Sequence, residues 1–364
     1  MFKFFVILYI GTSVAHLDFP GLEKVSDDSD HKIKKTLRFN ENNEFTILQL
    51  TDLHYGNSSI NNLKTQALTD RLLKLVKPDL VVVTGDAISG YEWKGQGPFY
   101  RSLWKTFTDP FVKHKTFYAY VFGNHDTEAD YTNQDIARLE KTHPYSLFNG
   151  DSNIDRASLS NYRLEVLSSF ESRQTRPSAL LWMFDTKNKG CVDVENSYGC
   201  ITSNQLRWYD KASKSINKKY DQKIDGLAFF HIPTPEFINI SNFDTVYGKK
   251  RELVSCPKVN TGVIAAFQKN KNIKAVFVGH DHDNDFGGDY ENIELVYGRQ
   301  SGYGSYGSRK AKGGRVIKLQ ERMDSRGRIV INHSHYIINE YGRKLWQKKR
   351  TWQAWNNPQI SCDF

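Results

Sequence analysis

The chain has 364 residues, enough for one large domain or two small ones with a substantial core. Hydrophobic residues at 39% and charged ones at 25% exclude a disordered chain. The formal charge of +9 favours an anionic partner, whether nucleic acid, lipid surface or small molecule, and selects none of them.

At the N-terminus Lys3 precedes a short apolar stretch, Phe4 to Ile10, and small residues follow from Gly11 to Ala15. This layout predicts a signal peptide over 1–15, cleaved before His16. The stretch is well short of the ~20 residues that span a bilayer, so the mature chain is expected to carry no transmembrane segment. The expected destination is outside the cell or an endomembrane, lysosome-like lumen. Residues 16–35 are polar and read as a spacer.

From Thr36 the apolar runs become regular. FTILQL (45–50), LVVVTG (80–85), FYAYVFG (117–123), ALLWMF (179–184), LAFFH (227–231), AVFVGH (275–280) and ELVYG (294–298) each predict a short buried strand. Between the first two, Leu63, Ala67, Leu68, Leu72, Leu75 and Val76 form a helical stripe that stops at Pro78. Thr202 and Gln205 make a capping box ahead of a second helix. RVIKL (315–319) and IVINHSHYII (329–338) are separated by little more than a turn, as in a hairpin. The fold class is therefore α/β, a two-sheet β-sandwich flanked by helices, in one domain over 36–340.

The tail, 341–364, mixes Arg343, Lys344, Lys348, Lys349 and Arg350 with Trp346, Trp352 and Trp355. It reads as the solvated end of an amphipathic helix, and no specific nucleic-acid binding is expected. Four cysteines in an exported chain predict two disulfides with three possible pairings. Cys191 with Cys200, closing a small loop, is preferred, and it leaves Cys256 to reach Cys362. Sequons at Asn57, Asn239 and Asn332 are compatible with a secreted glycoprotein.

The chemistry gathers where the apolar runs end. The first ends in Asp52-Leu53-His54, the second in Gly85-Asp86, and the third in Gly123-Asn124-His125-Asp126. LAFF ends in His231, and AVFVG in His280-Asp281-His282, so five of the eleven histidines follow buried strands. Carboxylates, an amide oxygen and imidazoles without a thiolate suit Fe, Zn or Mn. The donors exceed one tetrahedral site and match two ions sharing a bridging carboxylate, which can clamp an in-line displacement at phosphorus. Loops at the carboxyl ends of α/β strands are also where ligands bind.

The series TDLH, GD, GNHD, FH and GHDH resembles the metallophosphoesterase (calcineurin-like phosphoesterase) superfamily over 45–300. FHIPTPEF (230–237) and YGRQSGYGSYG (297–307) are similar to its purple-acid-phosphatase-like branch. That resemblance implies a metallophosphoesterase catalytic domain whose dinuclear centre hydrolyses phosphate monoesters by attack of a metal-bridging hydroxide. It implies that Asp52, His54 and His282 hold one metal, Asn124, His231 and His280 the other, and Asp86 both. His125 would assist the leaving group, and Asp126 would orient His125 or a neighbour. A tyrosine ligand characteristic of purple acid phosphatases is expected three residues after the bridging aspartate, where this chain has Ser89. A colourless enzyme follows. Arg299 is a candidate phosphate contact beside Asn124, whereas His333 and His335 read as surface residues and His114 and His143 carry no signal. Expected substrates are small phosphate esters or phosphoproteins. A phosphodiesterase or nucleotidase on the same site, and a non-catalytic binding protein on the same fold, are the alternatives.

Overall fold

The structure, a computed structural model, describes residues 35–170, 176–243, 245–307, 310–348, 350–351 and 358–362. The expected signal peptide, nearly all of the spacer, and Lys349, Trp352 and Trp355 lie outside the described residues.

The first half of the chain runs β1 (Leu37–Arg38), β2 (Glu44–Leu50), α1 (Ser59–Val76), β3 (Leu80–Thr84), α2 (Phe99–Lys113), β4 (Tyr118–Val121), α3 (Asn133–Thr142), β5 (Tyr162–Leu167) and β6 (Pro177–Met183). A small hairpin follows, β7 (Lys189–Cys191) and β8 (Val194–Tyr198), then α4 (Ser203–Lys219), β9 (Gly226–Phe229), α5 (Glu236–Phe243) and β10 (Thr245–Tyr247). The remainder is α6 (Val263–Asn270), β11 (Ile273–Val278), β12 (Gly287–Tyr290), β13 (Ile293–Tyr297), β14 (Gly313–Met323), β15 (Ile329–Asn339), β16 (Lys344–Leu345) and β17 (Arg350–Thr351).

Among the described residues these strands build two large sheets. One has the order β1-β5-β6-β9-β11-β13-β12-β10-β17, and the other β16-β15-β14-β2-β3-β4. Adjacent strands run parallel at the centre of the first sheet, β6, β9, β11 and β13, and along one side of the second, from β2 through β3 to the edge strand β4. The period-2 pleat divides their side chains. Leu181, Phe229, Phe277 and Val296 point into a core shared with Ile47, Val82 and Ile317 of the other sheet. Their neighbours Leu180, Trp182, Ala228, Val276 and Leu295 form a second core with Tyr209 and Ile216 of α4 and Ile264 and Phe267 of α6. The two-sheet sandwich flanked by helices is the architecture observed, and the predicted strands and the β14–β15 hairpin are all present.

Three expectations need correction. The buried stripe of α1 is Thr65, Leu68, Thr69, Leu72 and Leu73, while Leu63 and Leu75 are exposed. Leu68 and Leu72 belong to the expected stripe, and two threonines complete it where the apolar pattern predicts none. The tail is not a helix end among its described residues: β16 pairs with β15 and β17 with β10, and Trp346 packs on Tyr336. Edge strands offer the tail a ready hydrogen-bonding ladder, which an isolated basic helix lacks. His333 and His335 share one face as alternation requires, but that face meets Glu294 of β13, at 2.6 and 3.4 Å. Beside them the wholly buried Arg315 of β14 donates to the carbonyls of Tyr297 (2.9 Å) and Asp285 (3.0 Å), tying one sheet to the other.

Both preferred disulfides are present, Cys191–Cys200 and Cys256–Cys362. Their sequence separations, 9 and 106, give them different weights through the unfolded chain. Replacing Cys256 and Cys362 by Ala is expected to lower the unfolding free energy by about 4–5 kcal/mol, and replacing Cys191 and Cys200 by about 2–3 kcal/mol. Urea denaturation of the two double variants checks this, and equal losses would contradict it.

Candidate metal centre

The parallel strands of both sheets end on one side of the sandwich, and hydrogen bonds join those ends. Gln49 Nε2 donates to Val278 O (3.0 Å), and Ser301 N to Thr51 O (2.8 Å). The chain then has to turn sharply while presenting side chains inward. Asp52, His54, Asp86 and His280 all adopt left-handed backbone, with φ of 53, 51, 50 and 77°. Asp and His are among the residues that tolerate this region, and such conformations persist at sites that the surroundings over-determine. Gly123 is obligatory for a different reason: a Cβ there would lie 2.1 Å from Asp86 Oδ1.

These turns bring two donor sets together. Ligand atoms of Asp52, His54, Asp86 and His282 lie within 4.8 Å of one another, as do those of Asp86, His231 and His280. Asp86 belongs to both. Asn124 joins the second set, with Oδ1 3.0 Å from His231 Nε2. All seven residues are buried, and among the described residues the ion-pair partners of Asp52 and Asp86 are histidines rather than Lys or Arg.

The protonation pattern tests whether cations fit. His231 Nδ1 lies 2.8 Å from Thr84 O and must donate to it. A neutral ring then turns the lone pair of Nε2 toward Asp86 Oδ2 at 3.2 Å and Asn124 Oδ1, two further acceptors. Three acceptors aimed at one point need a positive charge between them. In the first set His54 Nε2 and His282 Nε2 face each other at 3.1 Å. His280 Nε2 is buried and has no hydrogen-bond partner among the described residues. Burial pushes His54 down to about 3 and His280 well below the ordinary imidazole value, so both are neutral donors. Burial would raise Asp52, but the charge of and hydrogen bond from His282 outweigh it and hold Asp52 at about 2. Burial would lower His231, but Asp86 raises it to about 10, a demand for positive charge that a metal ion meets equally well. The donor set fits two metal ions.

His125 stands at the rim of this cluster, its ring centroid 5.7 Å from that of His54. Its Nδ1 pairs with Glu128 Oε2 at 2.6 Å, and Asn188 Nδ2 donates to Glu128 Oε1 at 3.2 Å. Burial would lower His125, yet the carboxylates of Asp86 and Glu128 together hold it above the ordinary imidazole value. Asp126 does not reach His125. Its two oxygens accept from the backbone N–H groups of Asp86 (3.0 Å), Ile88 (3.0 Å) and Gly123 (2.7 Å), so it braces the loops beneath the cluster. Glu128 and Asn188 were missed in the sequence. For Glu128 the available signal is a carboxylate three residues after His125; for Asn188, 60 positions beyond Glu128, there is none.

Ser89 occupies the place expected to lack a tyrosine ligand, and its Oγ meets His54 Nδ1 at 2.8 Å. Tyr306 stacks on His282 with centroids 4.0 Å apart. Arg299 is not brought to the cluster: its guanidinium pairs with Asp285 at 2.5 Å and donates to Ala311 O at 3.0 Å. A cleft of about 260 Å³ opens over the donors, lined by His125, Asn188, Lys189, Tyr198, His282 and Tyr306 among others. A larger groove of about 880 Å³, lined by Leu37, Phe148, Arg163 and Trp208 among others, holds none of these donors.

Comparison with known proteins agrees with this geometry. Residues 45–284 match the model of the calcineurin-like phosphoesterase family. The chain is 30% identical to "Probable inactive purple acid phosphatase 29" of Arabidopsis thaliana, over 86% of this chain and 90% of the relative. It is 28% identical to "Phosphatase DCR2" of Saccharomyces cerevisiae, over 69% of this chain and 46% of that protein. Among solved structures, a dimetal phosphatase from Danio rerio shares the fold, with a TM-score of 0.54 at 14% identity, covering 81% of this chain and 99% of that one. The chain belongs to the calcineurin-like phosphoesterase family, in its purple-acid-phosphatase-like branch.

Proposed function

We propose that this phosphoesterase hydrolyses phosphate monoesters, of small molecules or phosphoproteins, with two bound metal ions. The observation that carries the reading is Asp86 shared between two donor sets, with a carboxylate-paired His125 at their rim. Asp52, His54 and His282 would hold one ion, Asn124, His231 and His280 the other, and Asp86 both. Iron, zinc and manganese all suit such oxygen and nitrogen donors. With Ser89 in place of a tyrosine ligand, the protein should be colourless. When bound, the ions supply Lewis acidity at the phosphoryl oxygens and lower the pKa of a water.

The chain's own groups complete the reaction. The ester would enter the cleft over the donors, which Asn124 and His125 both line. The oxygen of a water molecule forms the new bond to phosphorus as the ester P–O bond breaks. The electron pair of that bond leaves with the ester oxygen, which takes a proton from His125 Nε2 to become the alcohol. The proton lost by the water passes to solvent, and inorganic phosphate remains. His125 Nδ1 keeps its hydrogen toward Glu128 throughout.

A secreted or lumenal home is part of the proposal, with the leader over 1–15, the spacer over 16–35, the catalytic domain over 36–340 and the tail beyond. Two disulfides support it, as do the exposed sequon residues Asn57, Asn239 and Asn332, which are proposed to carry glycans.

Asp86→Asn is expected to bind fewer than the about two metal equivalents of the parent and to lose at least about 10³-fold in kcat/KM on p-nitrophenyl phosphate. Elemental analysis and kinetics check both, and a metal-replete parent that releases no phosphate would sink the reading. The same assay with bis-p-nitrophenyl phosphate separates a diesterase, which would favour it over the monoester. Gly123→Ala forces the Asp86 carboxylate aside and should cost about 1–3 kcal/mol of stability together with metal affinity. A fully stable, fully loaded Gly123→Ala protein would show that the Asp86 position is not required.

A further inference from the structure

We infer that Glu128 is a positioning residue for His125, and that Asn188, at the root of the disulfide-closed β7–β8 hairpin, holds Glu128 in place. The inference rests on the phosphomonoesterase reading and assigns to it two residues from separate parts of the chain.

Three features of the geometry carry it. The short Nδ1 to Oε2 contact, 2.6 Å, fixes the ring of His125 about its Cβ–Cγ bond and leaves Nε2 for the cleft. Glu128 cannot drift away, because residues 125–128 form a turn in which Glu128 N donates to His125 O (3.4 Å), and Gly90 N donates to the same oxygen (3.0 Å). Its second oxygen is held by Asn188 Nδ2. Asn188 is itself pinned at the hairpin base, where Gly199 N donates to Asn188 O at 3.0 Å and Cys191–Cys200 closes the loop. The neighbouring carboxylate, Asp126, is unavailable for this task, since both its oxygens are taken by backbone N–H groups. Glu128 and Asn188 line the cleft with His125, so the hairpin shapes the site and steadies its proton donor at once.

A positioning role has a chemical signature that a scaffold role lacks. As the ester P–O bond breaks, its electron pair goes to the leaving oxygen. An alkoxide cannot depart without the proton from His125 Nε2, whereas p-nitrophenolate leaves readily without one. Disturbing Glu128 should therefore penalise alkyl esters selectively.

The test measures kcat and KM of metal-replete parent, Glu128→Gln and Asn188→Asp on glycerol 2-phosphate and on p-nitrophenyl phosphate. Glu128→Gln keeps the shape of the side chain and removes its charge. Asn188→Asp sets a second carboxylate against Glu128 without touching His125. For Glu128→Gln the expected result is a fall of about 10²-fold in kcat on the alkyl ester, less than about tenfold on p-nitrophenyl phosphate, and KM nearly unchanged. Asn188→Asp should move the ratio the same way by a smaller factor. Elemental analysis should find the parent's metal content in both variants. Equal losses on the two substrates, or losses that follow metal content, would overturn the inference and leave the phosphatase reading intact. If Glu128→Gln does not fold, the ratio for Asn188→Asp decides, because an unmoved ratio there breaks the link. A parent inactive on both esters would bring down the phosphatase reading first and this inference with it.

Discussion

The carboxylate of Asp86 is the constraint around which the rest of the structure is organised. It is the one group common to both donor sets, it is buried, and its own backbone sits in the left-handed region. A buried carboxylate surrounded by imidazoles is tolerable only if each oxygen is satisfied and the net charge is balanced. The first demand is met at Oδ1 by the backbone, where His125 N donates at 2.9 Å, and at Oδ2 by the imidazoles of His231 (3.2 Å) and His54 (3.5 Å). The second is met by the histidines, or by the cations they are built to share.

That arrangement depends on two sheets being held in register, because neither alone carries a complete set. Asp52, His54, Asp86 and Asn124 follow strands of one sheet, whereas His231, His280 and His282 follow strands of the other. The bonds between strand ends are therefore part of the site. His231 Nδ1 on Thr84 O crosses from sheet to sheet and also fixes the tautomer that points Nε2 at Asp86. Arg315, Glu294, His333 and His335 make a second polar tie between the sheets, away from the cluster. Buried ion pairs of this kind add little to stability against a well-packed apolar core, but breaking one partner is costly, which favours a single sheet-to-sheet arrangement.

Much of this is legible in the amino-acid sequence, and the reason is local. A strand that ends in Asp, Asn or His announces both its own end and a polar group at the sheet edge, so each segment of the cluster could be read from a few neighbouring residues. Glu128 carries only the weak local signal of its spacing from His125, and Asn188 is not legible because its meaning is relational: only the fold brings a hairpin-root residue to the carboxylate paired with His125. Arg299 failed in the opposite direction. A glycine-rich loop and a guanidinium suggested phosphate, but Asp285, fourteen residues earlier, lies within 2.5 Å and claims it. The stripe of α1 was misjudged because Thr65 and Thr69 are buried; Thr69 Oγ1 donates to the carbonyl of Thr65 within the helix. Local bonding of that kind lets a polar side chain occupy a core position.

Ser89 bears on the chemistry proposed for the first donor set. A tyrosine ligand would place an oxygen donor directly on one ion. Here a serine hydroxyl instead meets His54 Nδ1 at 2.8 Å, and the imidazole faces the cluster with Nε2, 3.5 Å from Asp86. In the proposed site the neutral imidazole of His54 would stand where the resemblance implies a phenolate, with the serine as its orienting partner. A neutral donor leaves the first set with two carboxylates and two imidazoles, a lower negative charge than a phenolate would give.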